Sequence, residues 1–381
     1  MLASTLTERG RRLGREGRLE EALASFSGAL ALDDRIVDAH LGMYEVAQIL
    51  RKPELALAHQ TAAIALSPVH STLAAEREDY ALLVLCAPGP YTANTPVDLI
   101  FDARYVTLHR WYVDPSSEIP RLPRYDAIWT AIGESDAAAS RLRAAERFTA
   151  TQTQPSFNRP DAIGRLNRVA LSATFASARR TCAVTTERIA RERYAAARYP
   201  APHIVRPVDS HGGCGLERID DDAQRAAYAA RTGSEFLYVA PYVDYRSADG
   251  YFRKYRIIFI DGEAFPFHLA ISPNWMVHYY NAPMTEHQWM RDEELAFMAS
   301  PGAVFAGDLA EALRETAERL GLDYVGIDCA IGRDGKLLIF EADNAVIVHL
   351  LDDPLMFAYK HRYVPRITAA LDAMVRRRIH A

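Results

Sequence analysis

The hydrophobic pattern of the chain changes character at Tyr80. From there on, apolar residues come in short runs closed by Gly, Pro or Asp. The run YALLVLCAPGP is continuously apolar, which predicts a buried parallel strand whose functional end is the loop Ala87–Thr95. VDLIF and YVTLHRWYV predict two more short strands. DAIWTAIGESD predicts a strand, a turn at Gly133 and a helix carrying Ala137 to Arg147. Residues 78–150 thus read as a small α/β unit of βαβ type. A Pro-containing linker, QPSFNRPDAIG, leads into a helix. Six strand candidates follow: HIVRPV, EFLYVAPYV, KYRIIFIDG, EAFPFHLAIS, DYVGIDCAIG and GKLLIFEAD. The turn signals Asp261-Gly262 and Asp334-Gly335 predict antiparallel hairpins. A helix over Asp308–Leu320 precedes the last hairpin, and Lys360–Arg378 closes the chain. Its last turn, Arg376 to Arg378, complements the helix dipole and reads as a solvated face.

Before Tyr80 the chain repeats itself. A shift of 34 residues places Ala22 on Ala56, Leu23 on Leu57, Ala29 on Ala63 and Leu32 on Leu66. Gly10, Gly17, Ala22, Phe26 and Ala29 stand at the spacing of a tetratricopeptide repeat, in which small residues let two helices approach and an aromatic fills the gap. The second unit is degenerate: Gln60 stands where Phe26 predicts an aromatic, and Lys52 stands one residue beyond the glycine position. Residues 1–75 therefore resemble about two tetratricopeptide hairpins. Either they dock a peptide or partner protein, or they form a helical appendage that packs on the rest and helps the chain pair with itself.

Composition narrows the function classes. Of 381 residues, 49% are hydrophobic and 24% charged, as in an ordinary globular chain of two or three domains. A net charge of −5 argues against a nucleic-acid coat. No apolar run reaches the ~18 residues of a membrane span, and the basic N-terminus lacks the apolar stretch of a signal peptide. Cys86, Cys182, Cys214 and Cys329 lie far apart without a CxxC, so neither a disulfide framework nor a zinc ribbon is indicated and a cytoplasmic setting is expected.

Two motifs carry candidate chemistry. In IVRPVDSHGGCGLERI a strand delivers Arg206 to a glycine-rich loop, Ser210–Gly215. Gly212, Gly213 and Gly215 allow backbone amides to close around phosphate oxygens, and Arg206 adds a permanent cation. The loop is neither a Walker A loop, since GK[ST] is absent, nor a Rossmann loop, since no helix follows. The second motif is DYVGIDCAIG with LLIFEADNAVIVH. Asp328 lies in one strand, and Glu341 and Asp343 end the next on one face. Three hard oxygen donors at one end of a hairpin suit Mg²⁺ with nucleotide phosphates, the alternative being solvated strand ends.

In this order, the motifs resemble the ATP-grasp superfamily over roughly residues 150–350. The resemblance implies an α/β chain (α+β ATP-grasp architecture) with a small N-terminal α-helical repeat domain. The domains would be 1–75, a pre-ATP-grasp unit at 78–150, and an ATP-grasp domain at 151–381, its central or lid part about 160–243 and its C-terminal part about 244–381. It implies that Arg168 and Arg206 meet the nucleotide phosphates, with Ser210, His211, Gly212, Gly213 and Gly215 in the lid. Tyr238, Val239, Ala240 and Tyr242 match a hinge strand whose backbone reads adenine. Arg256 in KYRIIFIDGE matches a catalytic arginine. Asp328, Glu341 and Asp343 match a magnesium triad, with Asp343 in the asparagine place and Asn344 next to it.

The implied reaction is ATP-dependent ligation of a carboxylate to an amine through an acylphosphate, with amino acids or peptides as substrates. A kinase-like enzyme, and a scaffold in which the nucleotide fold is structural and the helical repeat binds a partner, are the competing readings; the oligomeric state is left open by the sequence, a homodimer being the common case. Lys254 shares the Arg256 face and either binds a substrate carboxylate or faces water. His349 lines the acceptor site or is structural. Trp275, His278, Tyr279, Tyr280 and Asn281 form an aromatic loop that covers the acceptor or packs on the core. Cys214 has no partner base at hand.

Overall fold

The computed structural model describes residues 1–210 and 212–381, and its residues fall into two compact units. The first comprises Met1–Gly133 and Ser140–Pro160. It begins with four helices in two antiparallel hairpins: α1 (Leu2–Arg15), α2 (Leu19–Leu32), α3 (Val37–Ile49) and α4 (Pro53–Leu66). The 34-residue repeat is visible in the backbone. Gly17 closes the first hairpin with φ +74°, and Arg51, its counterpart in the repeat, adopts φ +56° although it is not glycine. In the first hairpin Gly10 and Phe26 pack on each other, with Phe26 only 1% exposed. The counterparts of that pair, Tyr44 and Gln60, do something else. The Tyr44 hydroxyl donates to the Gly89 carbonyl at 3.0 Å, and the Gly89 amide donates to Gln60 Oε1 at 2.8 Å. The irregularity at Gln60 is thus a polar side chain recruited to hold the loop after the first long strand.

That strand belongs to a five-stranded sheet of β1 (Val69–Thr72), β2 (Tyr80–Cys86), β3 (Val106–Tyr112), β4 (Ala127–Thr130) and β5 (Ser156–Phe157), in the order β1-β3-β2-β4-β5. β2 is buried at every position and pairs in parallel with both β3 and β4, as its unbroken apolar run requires. Two expectations change here. Val69–Thr72, assigned by sequence to the helical segment, pairs antiparallel with β3. VDLIF is not a strand: Val97–Ile100 is one helical turn after Pro96, with Val97 and Ile100 buried three residues apart on one side.

The second unit comprises Glu134–Ala139 and Asp161–Ala381. Its smaller sheet has β7 (Glu187–Ala190), β8 (His203–Pro207), β9 (Glu217–Ile219) and β10 (Phe236–Pro241) in the order β7-β10-β8-β9. Its larger sheet has β6 (Thr181–Ala183), β11 (Phe252–Ile260), β12 (Glu263–Ser272), β13 (Tyr324–Ile331) and β14 (Leu337–Asp343) in the order β12-β11-β13-β14-β6. The β11–β12 hairpin turns through Asp261 and Gly262, both at positive φ, as an Asp-Gly two-residue turn demands. The closing helix, Lys360–Ile379, is fastened to this turn: Arg377 and Arg378 reach the two Asp261 oxygens at 2.5 and 2.6 Å. The terminal arginines therefore tie helix to hairpin, where sequence reading saw a solvated face. No helix among the described residues is long and apolar enough to cross a membrane.

Candidate active site

The larger sheet carries a row of side chains across four strands. His268 on β12 pairs with Arg256 on β11, Arg256 with Asp328 on β13, and Asp328 with Glu341 on β14. Direct cross-strand partners project to the same face, so register alone assembles the row. Two bulges sit at its members, one between Arg256 and Ile257 and one between Asp328 and Cys329. Arg256 donates from Nε to Asp328 Oδ1 at 2.6 Å and from Nη2 to Oδ2 at 2.9 Å. Lys254, two residues back on the same face, donates to Oδ2 at 2.7 Å. Beyond the row, Arg168 opens the helix Arg168–Phe175, which is capped by Asn167 accepting from the Ala170 amide. The Arg168 guanidinium meets Glu341 Oε2 at 2.6 Å and the Phe340 carbonyl at 3.1 Å.

Burial works to raise both acids, and the cations override it. Arg256 and Lys254 hold Asp328 well below the usual carboxylate range, and Arg168 holds Glu341 at about 2. His268 is buried, and burial with the neighbouring Arg256 and Lys360 depresses it far below the usual imidazole value, so it is neutral at neutral pH. No described residue partners its Nδ1.

Across the pocket lies the glycine-rich loop between β8 and β9. Gly215 has φ +66°, and a Cβ there would stand 2.7 Å from the Pro207 ring, so both conformation and space exclude a side chain. Arg206 folds back on its own loop, donating from Nε to Ser210 Oγ at 2.9 Å and from Nη2 to the Ser210 carbonyl. Burial, and Arg168 beside it, lower the Arg206 guanidinium to about 10. His211 lies outside the described residues.

One pocket is lined by Arg168, Arg206, Gly212, Gly213, Tyr238, Ala240 and Tyr242 together with Lys254, Asp328 and Glu341. Its lining also has the apolar residues Leu171, Ile204, Leu216 and Ile339. In β10, pairing with β7 stops at Val239 and pairing with β8 continues to Pro241. Backbone open on the β7 side therefore begins at Ala240, which narrows the expected Tyr238–Tyr242 stretch. Trp275, Met276, Val277 and His278 of the aromatic loop form another wall. His278 Nε2 and Met276 Sδ would lie 3.6 and 3.7 Å from side chains placed at Gly212 and Gly213, so the two loops face each other closely. Cys214 is exposed and unpaired with another cysteine.

The metal expectation meets a different arrangement. Among the described residues no group of three or more His, Cys, Asp or Glu side chains is placed to hold a metal ion. The physical reason is that Asp328 and Glu341 already carry basic partners. Asp343 Oδ1 accepts from the Ala345 amide at 2.7 Å, and Asn344 is fully buried. As arranged, the donor set does not fit a three-ligand Mg²⁺ site. Lys254 is likewise neither solvated nor free, because its side chain is 11% exposed and its ammonium is fixed on Asp328.

Sequence reading missed a second polar network. Lys360 donates to the Tyr279 hydroxyl at 2.7 Å and to Asp352 at 2.9 Å, with Glu294 at 3.5 Å. Tyr279 donates to Asp352 at 2.5 Å, and Tyr359 donates to Glu294. Glu294 is fully buried and Lys360 nearly so. This network anchors the aromatic loop from behind. The one sequence signal was an acid and a base on helix faces otherwise set to be buried. His349 is half-buried and accepts from the Leu351 amide at 3.1 Å.

No protein-family profile matches the sequence, and no curated protein does. Among solved structures, D-alanyl-alanine synthetase A from Vibrio cholerae is similar with a TM-score of 0.50 and 11% identity, over 79% of this chain and 99% of its own. The D-alanine-D-alanine ligase from Coxiella burnetii gives 0.47 and 10%, over 79% and 96%. The RimK domain protein ATP-grasp from Sphaerobacter thermophilus gives 0.44 and 15%, over 77% and 99%. At such identities the likeness is one of fold. The chain has the mixed α/β fold seen in that synthetase, preceded by a helical segment.

Proposed function

We propose that this protein is an ATP-dependent carboxylate–amine ligase. The observation that carries the reading is one pocket whose lining combines apolar side chains and strand β10 with Arg168, Arg206, Lys254 and glycines of the glycine-rich loop. A flat base suits the apolar lining, and a polyphosphate suits the cationic side chains. A carboxylate oxygen attacks the γ-phosphorus, the bond to the bridging oxygen breaks, and ADP leaves with that electron pair. An amine nitrogen then attacks the acyl carbon, the carbon–oxygen bond to phosphate breaks, and phosphate departs as the nitrogen sheds its proton. Such chemistry asks for positioning and charge stabilisation rather than a nucleophilic side chain. Arg168 and Arg206 bind the polyphosphate, and Arg256 meets the oxyanion of the second step through Nη1, since Nε and Nη2 are spent on Asp328.

The neighbouring solved structures include enzymes named for alanyl-alanine synthesis, so free amino acids and short peptides are the first substrates to screen. The test is a coupled assay of ADP and phosphate over pairs of carboxylates and amines. Amine-dependent phosphate release is the expected result. ADP formation without it indicates a kinase-like enzyme, and no nucleotide binding by calorimetry indicates a scaffold; either outcome refutes the ligase reading.

A further inference from the structure

Asp328 is the best-buried acid of the row, with its side chain 2% exposed, and both its oxygens are taken. The two groups that take them, Lys254 and Arg256, stand two residues apart on β11 and converge from one strand face. Glu341 next to it is held by Arg168. With Arg206 beside Arg168 and Asp343 near Arg256, four cations face three carboxylates, which leaves positive charge in excess. A divalent ion brought to Asp328 would meet two like charges at hydrogen-bonding range and would have to displace one of them. An anion entering from the pocket side is drawn to the protons that the ammonium and guanidinium do not spend on Asp328.

We propose that Lys254 is a built-in cation occupying the place of a divalent ion at Asp328. Asp328 is then a positioning residue, which holds Lys254 at the pocket wall, and the ligand group this cation meets is an anionic oxygen cluster of the phosphate class. The identity of that anion as a transferred phosphoryl group rests on the ligase reading; the cation replacement does not. The arrangement accounts for a pocket-lining lysine whose side chain is 11% exposed and paired with a buried acid, which neither a solvated lysine nor a freely available substrate ligand would show.

The test uses the full chain without nucleotide and reads free Mn²⁺ by its EPR signal. Asp328→Asn is expected to bind Mn²⁺ as the wild type does, within about twofold. Lys254→Met is expected to gain Mn²⁺ affinity by about tenfold, because one Asp328 oxygen is released while Arg256 keeps the acid paired and the sheet folded. Loss in Asp328→Asn of Mn²⁺ binding present in the wild type, or no gain in Lys254→Met, overturns the proposal. Thermal melting checks folding, and Lys254→Gln gives the same readout should the Met variant not fold. Inorganic tripolyphosphate titrated calorimetrically should bind Lys254→Met about tenfold more weakly than the wild type. Equal affinity, or no binding to the wild type, overturns the anion assignment. A chain that binds no ATP would sink the ligase reading and leave the Mn²⁺ results standing.

Discussion

Gly42→Ala should unfold the helical segment more easily, although alanine is ordinarily the better helix former. A Cβ at Gly42 would lie 2.3, 2.5 and 2.7 Å from three atoms of the Phe26 ring. Ordinary carbon contacts need about 3.5 Å, so the ring must retreat by roughly 1 Å. It has nowhere to go: Gly10, on α1, faces the same ring, where a Cβ would stand 2.7 Å away, and the ring is 1% exposed. Overpacking of this kind costs about 1–3 kcal/mol. The helix-propensity gain of replacing glycine offsets up to about 1 kcal/mol. With the full offset the net expectation is a loss of up to about 2 kcal/mol. Gly28→Ala is the matched control, because its Cβ would meet only the end of Leu6, at 3.4 Å; it should be neutral or slightly stabilising. Urea melts followed by circular dichroism at 222 nm measure both, and Phe26→Leu in the Gly42→Ala background should recover part of the loss. If Gly42→Ala and Gly28→Ala melt alike, the three-helix contact around Phe26 is not as tight as described.

Three further outcomes follow from the sites. Arg256→Ala should lower kcat by about 100-fold or more with little change in the KM for ATP, since oxyanion donors act in the transition state; a KM effect alone would reassign it to ground-state binding. Lys360→Met leaves Glu294 and Asp352 buried without their cation, and a loss of about 3–5 kcal/mol in thermal or urea stability is expected; a change below 1 kcal/mol would show the network to be slack. His70, buried on β1 opposite Arg110, is pushed down to about 4 by burial first and by Arg110 second. Its folded value lies below its unfolded value of 6.5, so its contribution is complete above pH 6.5 and is lost as pH falls toward 4, by up to about 3 kcal/mol. His70→Leu should flatten stability between those pH values, and an unchanged slope would clear His70 of the effect.

The architecture was legible where periodicity and turn chemistry agree. The apolar run of β2, the Asp261-Gly262 turn and the helix Asp308–Leu320 all stand where the pattern put them. The members of the charged row were legible too, because Asp328, Glu341 and Arg256 each fall on a strand face that can be counted. Their pairing was not. Which cation meets which acid depends on strand register across β11, β13 and β14, and on the bulges, neither of which is written in the periodicity of a single strand. Gln60 was recognised as irregular, but its use required knowing that Gly89 lies beside it. The Lys360 network joins residues 294, 279, 352 and 360, whose meeting is decided by helix packing far along the chain.

The paired bulges beside Arg256 and Asp328 have a bearing on any relative of this chain. Each leaves one residue of the facing strand without a partner, Phe267 in β12 and Phe340 in β14, so a homologue lacking either will fall one place out of step past that point, and its side chains there will swap faces. Matching letters column by column would then credit the wrong amino acid with the chemistry. Equivalence within this group has to be judged by who sits opposite whom in the sheet.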